Sequence, residues 1–213
     1  MLTIKTTTKM ESKITVHNFE QRTEEWQAIR VGKIGGSSAV GVTTDARMKT
    51  LLYTVLSEIA VGSAEEIFTS NAMQYGIDTE PEAIARYEME EMLKVASIGY
   101  ITNSDYKYAG LSPDGVVGEN GAVEVKCLLP KNHVKIIVEN KVPTEYLPQL
   151  AWYFLINTDL EWIDFVSYCP KVTSKPYFKI RVSREDAKAM IDKVSAGYIK
   201  IEKKIDEALE LLK

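Results

Sequence analysis

Two carboxylates and one lysine lie near each other in a segment that has the pattern of two β-strands joined by a tight turn. Nine residues separate Asp114 from Glu124, and Lys126 follows Glu124 by two positions. Because side chains alternate along a strand, Glu124 and Lys126 share one face. The turn signal at 119–121 ends in Asn-Gly, which accepts a positive φ, and it folds the preceding strand back. We therefore expect Asp114 to approach Glu124.

Such a cluster suits a hard divalent cation. The other face of the same strand is apolar, with Val123, Val125 and Cys127, so the strand is predicted to be central. Charges beside a core are costly unless they are paired or metal-bound. Carboxylate oxygens with water in the remaining positions favour Mg²⁺ or Mn²⁺. That ion can polarise a phosphoryl oxygen and acidify a bound water, which the lysine can orient or deprotonate. The alternative is an Asp in a turn beside a Glu–Lys salt bridge on an edge strand.

The rest of the chain predicts alternating helices and strands around this cluster. Residues 1–18 read as a loose arm or an edge strand, and Thr23 is typical of a helix N-cap. Further helices are predicted at 46–61, at 71–93 with a break or kink at Gly76 and Pro81, at about 144–157, and from 183 to the end. Strands are predicted at 95–102, 107–117, 122–128, 161–169 and 177–182. No linker or repeat divides 1–213, so one α/β domain is expected.

The composition excludes several classes of protein. Of the 213 residues, 45% are hydrophobic and 26% are charged, which excludes a disordered or low-complexity chain. No apolar run could span a membrane and no secretory signal is visible, so a cytoplasmic setting is the default. Two cysteines are too few for an iron–sulfur cluster. The net charge of −4 argues, taken alone, against a strongly basic nucleic-acid binder.

The motif Pro113-Asp114…Glu124-Val125-Lys126 resembles that of the PD-(D/E)xK nuclease superfamily. Three further blocks resemble the phage lambda exonuclease and YqaJ-like viral recombinase family, in its order and spacing. They are 22–37 (RTEEWQAIRVGKIGGS), 76–80 (GIDTE) and 146–149 (YLPQ). The resemblance implies a restriction-endonuclease-like fold, with a mixed central sheet flanked by helices.

The resemblance also implies a role for each matched residue. Asp114, Glu124 and the Val125 backbone carbonyl would hold the metal, and Lys126 would activate water. Glu80 would be an extra carboxylate at a second metal ion, and Gln149 would position the nucleophile. A pocket for the 5′-phosphate of the cut strand would consist of Arg30, Ser37 and Ser112.

Each role has a structural alternative. Glu80 could be an acid favoured by a helix dipole, and Glu82 could be the ligand if the register is off by two. Arg30 and Gln149 could be solvated helix residues, and Ser37 could cap a short helix. Packing is the favoured role of Trp26.

By resemblance, the expected function is a Mg²⁺-dependent exonuclease that degrades the 5′-ended strand of duplex DNA and leaves 3′ overhangs for recombination. Two metal ions per site, a ring-shaped trimer, a single-strand annealing partner and a bacterial or phage-infected cytoplasm are implied in the same way. The rivals are another nuclease of the superfamily, such as a restriction or repair endonuclease, and a catalytically silent DNA-binding protein on this fold.

Overall fold

The computed structural model describes residues 13–64 and 70–212. Residues 1–12 of the predicted arm lie outside the described residues. Strand β1, Ile14–His17, pairs antiparallel with β3, Tyr100–Asn103, in a two-stranded sheet. The edge-strand interpretation therefore applies to this part of the N-terminal segment.

Five more strands form a mixed central sheet in the order β2-β4-β5-β6-β7. The pairing of β5 with β6 is parallel, and the other three pairings are antiparallel. The predicted α/β fold with a mixed central sheet is confirmed. The strands are β2 Val95–Ala96, β4 Gly115–Val117, β5 Gly121–Cys127, β6 Trp162–Tyr168 and β7 Tyr177–Ser183.

Helices pack on both faces of this sheet. On one face, α3 packs on β5, while α5, α6 and α2 lie over the larger core on the other face. A short 3-10 helix, Gly36–Thr43, packs against α2, α5 and α6. The helices are α1 Glu24–Arg30, α2 Asp45–Val61, α3 Asn71–Glu91, α4 Pro130–Glu139, α5 Leu147–Ile156 and α6 Lys188–Glu210.

Strand β5 is central, as predicted. Val123 and Val125 are buried in a cluster with α3, and Cys127 packs against the same cluster. Glu124 and Lys126 therefore point to the opposite face, toward α5. The predicted alternation of this strand is confirmed.

The local signals at helix ends are largely correct. Thr23 caps α1 by accepting a hydrogen bond from the Trp26 N–H, and α2 ends at Gly62 in the left-handed region with φ 77°. Helix α3 is one continuous element, so Gly76 and Pro81, where a break or kink was predicted, do not break it. Helix α4, which begins with Pro130, was not predicted from the sequence.

Two predicted strands are wrong in extent. Residues 95–102 divide between β2 and β3, which belong to different sheets. Of the predicted strand 107–117, only Gly115–Val117 joins the central sheet.

The β4–β5 hairpin is confirmed, but its turn differs from the expected one. The positive φ of 61° falls on Gly118, and Gly121 already opens β5. A Cβ at Gly121 would lie 2.2 Å from the Trp162 ring, so the glycine is required there by packing against β6.

Candidate active site

The predicted carboxylates and lysine converge at the start of the β4–β5 hairpin. Asp114 directly precedes β4, and its Oδ2 accepts a hydrogen bond from the Val125 backbone N–H at 2.7 Å. The Lys126 ammonium forms an ion pair with Glu124 Oε1. The hairpin therefore brings the two carboxylates and the ammonium close together.

Helix α5 fixes Glu124 from the other side. Gln149 donates from Nε2 to Glu124 Oε1 at 2.7 Å, and Tyr153 donates from Oη to Glu124 Oε2 at 2.5 Å. The same Tyr153 hydroxyl accepts from the Asp114 backbone N–H at 3.3 Å. Sequence reasoning missed Tyr153. Its position one helical turn after Gln149 is the signal that could have revealed it.

The carboxylates raise one another's proton affinity. Burial and the charges of Glu124 and Glu80 raise the pKa of Asp114 well above its usual value, against the attraction of Lys126. Burial also raises the pKa of Glu80. Burial lowers the pKa of Lys126, but the carboxylates of Glu124 and Asp114 outweigh it and raise the pKa overall. The site therefore has three carboxylates beside two cations, the Lys126 ammonium and the Arg22 guanidinium, and so has an excess of negative charge.

These groups open into a cavity of about 640 Å³. All the residues singled out by the resemblance line it: Arg30, Ser37, Glu80, Ser112, Asp114, Glu124, Val125, Lys126 and Gln149. Their roles stay predictions. Their common location means that residues from α1, the 3-10 helix, α3, β5 and α5 face one space.

The two candidate carboxylates of α3 differ in their surroundings. Glu80 lines the cavity, and its Oε2 lies 3.7 Å from the Arg22 guanidinium. Glu82 instead accepts a hydrogen bond from the Tyr168 hydroxyl at 2.7 Å. The geometry favours Glu80 over Glu82 as the carboxylate available to a ligand.

Trp26 connects the residues of the predicted phosphate pocket. Its ring lies 3.8 Å from the Arg30 guanidinium carbon, and its Nε1 donates to Ser112 Oγ at 2.9 Å. Ser112 Oγ in turn donates to the Gly99 carbonyl at 3.0 Å. Trp26 thus packs, as expected, but it packs against the pocket and also lines the cavity.

The side chains of Cys127 and His133 are not placed for a role in catalysis. Burial raises the pKa of the Cys127 thiol to about 12, so it stays protonated. His133 is fully buried, and its ring nitrogens contact Ser167 Oγ at 2.7 Å and the Lys175 carbonyl at 2.8 Å. A contact between His133 and a bound substrate does not fit this burial.

The oxygens facing the cavity fit a hydrated divalent cation. Within residues 13–64 and 70–212, no three Asp, Glu, His or Cys side chains enclose a metal position by themselves. Asp114, Glu124 and Glu80 supply carboxylates, and Val125 lines the same cavity. Mg²⁺ typically takes one or two carboxylates and keeps several waters. Burial, and after it the charges of Glu124 and Glu80, raises the pKa of Asp114, and a bound cation would compensate those charges.

Comparisons with known proteins identify the family of this chain. The model of the YqaJ-like viral recombinase domain matches residues 25–161, more than half of the chain. The chain belongs to this family, as the sequence blocks predicted. No curated protein matches the chain significantly. No described helix is long and apolar enough to cross a membrane.

Solved structures are similar over most of the chain. An alkaline exonuclease from Laribacter hongkongensis is 32% identical with a TM-score of 0.78, covering 89% of this chain and 98% of its own. A structure of that enzyme in complex with dAMP is 33% identical with a TM-score of 0.77, covering 89% and 100%. A phage-related exonuclease from Haemophilus somnus shares the fold at 14% identity and a TM-score of 0.59, covering 85% and 96%.

Proposed function

We propose that this protein is a Mg²⁺-dependent DNA exonuclease that degrades the 5′-ended strand of a duplex and leaves a 3′ single strand. Family membership and the similarity to alkaline exonucleases support nuclease activity. One observation carries the proposal further. The half-buried Asp114 and the buried Glu124 face, with Lys126, the same cavity as Arg30 and Ser37. A metal site and an anion site are therefore within reach of one bound strand end.

The metal site would comprise Asp114, Glu124 and the Val125 carbonyl, with Glu80 at a second ion. Mg²⁺ or Mn²⁺ bound there would acidify water and stabilise the negative charge that develops on a phosphodiester. The chain itself keeps Glu124 in place, because Gln149 and Tyr153 each donate to one of its oxygens. Strand β5 and α5 thus hold this carboxylate before any ligand arrives.

Lys126 would orient the attacking water and offset negative charge on the phosphate. Its ammonium lies between Glu124 and the Tyr146 ring, whose centroid is 5.2 Å from Nζ. Gln149 would contribute through its amide, which already contacts Glu124 and faces the cavity. Both side chains come from elements of the core, so their positions are fixed by packing.

The end of the DNA strand would be recognised through its 5′-phosphate by Arg30, Ser37 and Ser112. The guanidinium of Arg30 is fixed by Trp26, and Ser37 lies near the start of the 3-10 helix. The related alkaline exonuclease in complex with dAMP supports this proposal, because dAMP carries a 5′-phosphate. An enzyme that reads a terminal phosphate acts on ends, so this pocket favours an exonuclease over an endonuclease.

The expected partners follow from this activity. Double-stranded DNA ends would be the substrate, a ring-shaped homotrimer would enclose the duplex, and a single-strand annealing protein would receive the 3′ overhang. The reaction would take place in the cytoplasm of a bacterial or phage-infected cell. These statements rest on the family to which the chain belongs.

A nuclease assay with matched substrates tests the proposal. The protein is incubated with Mg²⁺ or a chelator and with linear duplexes that carry 5′-phosphate or 5′-hydroxyl ends, beside a closed circle. We expect Mg²⁺-dependent release of mononucleotides from the 5′-phosphorylated strand, while a 3′-labelled end remains. Asp114→Asn controls for contaminating nucleases. Cleavage of the circle, or initial loss of the 3′ label, would contradict the proposal.

A further inference from the structure

Tyr100, at the start of β3, has a buried hydroxyl without a partner. The residue is 1% exposed, and its Oη forms no hydrogen bond. Buried hydroxyls are normally paired, because leaving one unsatisfied costs free energy. Tyr100 also lines the cavity that contains Arg30 and Ser112. The residue that carries the unpaired hydroxyl therefore borders the space that a ligand would occupy.

The hydroxyl of the neighbouring Ser112 is already engaged. Ser112 Oγ gives its proton to the Gly99 carbonyl and accepts from Trp26 Nε1. Ser112 would have to release the Gly99 carbonyl in order to donate to a ligand. Arg30 supplies positive charge, which is held by stacking on Trp26. The pocket thus has a fixed cation, an occupied serine and a free tyrosine hydroxyl.

The Tyr100 ring is held in place. A Cβ at Gly110 would lie 2.3 Å from Tyr100 Oη, so the tip of the ring rests on the Gly110 backbone. Trp152 Nε1 fixes that backbone by donating to the Gly110 carbonyl at 3.0 Å. Because β3 and Gly110 confine the ring, the hydroxyl is not free to turn toward a distant protein acceptor. Burial raises the pKa of Tyr100, so the group stays a donor at alkaline pH.

We propose that the Tyr100 hydroxyl donates a hydrogen bond to an oxygen of a nucleotide phosphate that is held beside Arg30. This inference rests on the proposed function, in which the phosphate is the 5′-terminal phosphate of the DNA strand. A phosphate oxygen would give the buried hydroxyl the acceptor that it lacks in the free protein. Hydrogen bonds to charged groups are about twice as strong as neutral ones, so roughly ten- to hundredfold in affinity is expected from this contact.

The test is Tyr100→Phe, which removes the hydroxyl and keeps the ring. The first measurement is binding of dAMP and of deoxyadenosine by calorimetry, without hydrolysis. We expect the wild type to bind dAMP more tightly than deoxyadenosine, and the variant to lose about tenfold or more in dAMP affinity only. Equal dAMP affinity in both proteins would overturn the inference, as would a wild type that does not distinguish the two ligands.

The second measurement is the rate on linear duplexes. In Tyr100→Phe, kcat/KM on 5′-phosphorylated ends should fall by about tenfold, with little change on 5′-hydroxyl ends. An unchanged preference for phosphorylated ends would contradict the role of Tyr100. Failure of the wild type to cut linear ends would instead contradict the proposed function, and the dAMP measurement would still decide the role of Tyr100.

Tyr177→Phe is the matched control. The Tyr177 hydroxyl donates to Glu91 at 2.9 Å, outside the residues that line the cavity. We expect this control to lower the midpoint of thermal unfolding and to leave the phosphate preference unchanged. Tyr100→Phe should not lower the midpoint of thermal unfolding, because its hydroxyl has no protein partner to lose. It should reduce the preference for the phosphate. A loss of stability in Tyr100→Phe equal to that of the control would show a structural role and overturn the inference.

Discussion

Two clusters of charged residues lie against opposite faces of the central sheet, and they differ in how their charges are balanced. On the α3 face, Asp164 accepts two hydrogen bonds from Arg181 and one from Tyr87, all at 2.8 Å. Glu91 is bound there by Lys179 at 2.6 Å and by Tyr177 at 2.9 Å. The two carboxylates are thus paired with two cations, and Asp164 is fully buried.

On the α5 face, the balance is different. Asp114 and Glu124 influence one another and Glu80 of α3 electrostatically, with the Lys126 ammonium and the Arg22 guanidinium as the nearby cations. This cluster opens into the cavity, whereas Asp164 does not line it. Paired charges in a closed setting hold elements together, while an excess of one charge beside an open space indicates a ligand of opposite charge. We therefore propose that the cluster around Asp164 is structural and that the cluster around Asp114 is functional.

The largest expected effect is a loss of activity in Asp114→Asn. The amide oxygen can still accept from the Val125 N–H, but the negative charge for the metal is gone. We expect the rate of DNA hydrolysis to fall by roughly a thousandfold, since metal stabilisation of the transition state is worth several kcal/mol. Thermal stability in a chelator should not decrease, because the substitution removes repulsion from Glu124. A variant that is both active and destabilised would reverse the assignment of the two clusters.

The next effect is a loss of stability in Asp164→Asn. The side-chain amide would keep one acceptor oxygen, but its NH2 group would replace the other oxygen and face a donor of Arg181, and the charge that pairs with Arg181 would be lost. Breaking one partner of a buried ion pair costs about 3 kcal/mol or more, which urea denaturation would measure. The activity per folded molecule should remain that of the wild type. Unchanged stability would show that this cluster does not hold α3 on the sheet.

The smallest effect concerns an exposed carboxylate that belongs to neither cluster. Hydrogen bonds from Tyr108 and Lys107 lower the pKa of Asp206 on α6. Because its folded-state pKa is depressed, its contribution exists above the ordinary carboxyl pKa and is lost as pH falls through the folded value. Asp206→Asn should therefore cost under about 1 kcal/mol at neutral pH.

At a pH below the folded-state pKa of Asp206, Asp206→Asn and the wild type should unfold with equal stability. Thermal melts across this range would check the prediction. If the stability difference between the two proteins grows toward low pH, folding does not lower the pKa of Asp206.

Local sequence patterns predicted the arrangement of strand β5 well. The alternation in β5 depends only on the two-residue period of a strand, and it placed Glu124 and Lys126 correctly. The family resemblance singled out residues that are distant in the chain, such as Arg30 and Gln149. The fold brings these residues to one cavity.

Contacts between distant elements could not be predicted. Asp164 shows its role only when Arg181 of the adjacent strand and Tyr87 of α3 are placed beside it. Tyr100 lay inside a predicted strand, and its unpaired hydroxyl is a property of tertiary packing. The segment 95–102 divided between two sheets because its two parts pair with different strands, β4 and β1.

Direct metal binding tests the central claim, that the cluster on the α5 face is a divalent-cation site. Titration of Mn²⁺ into the metal-free wild type, Asp114→Asn and Asp164→Asn would be followed by calorimetry. We predict saturable binding to the wild type, the same binding to Asp164→Asn, and a loss of binding in Asp114→Asn. Equal binding by Asp114→Asn and the wild type, or no binding by the wild type, would contradict the account.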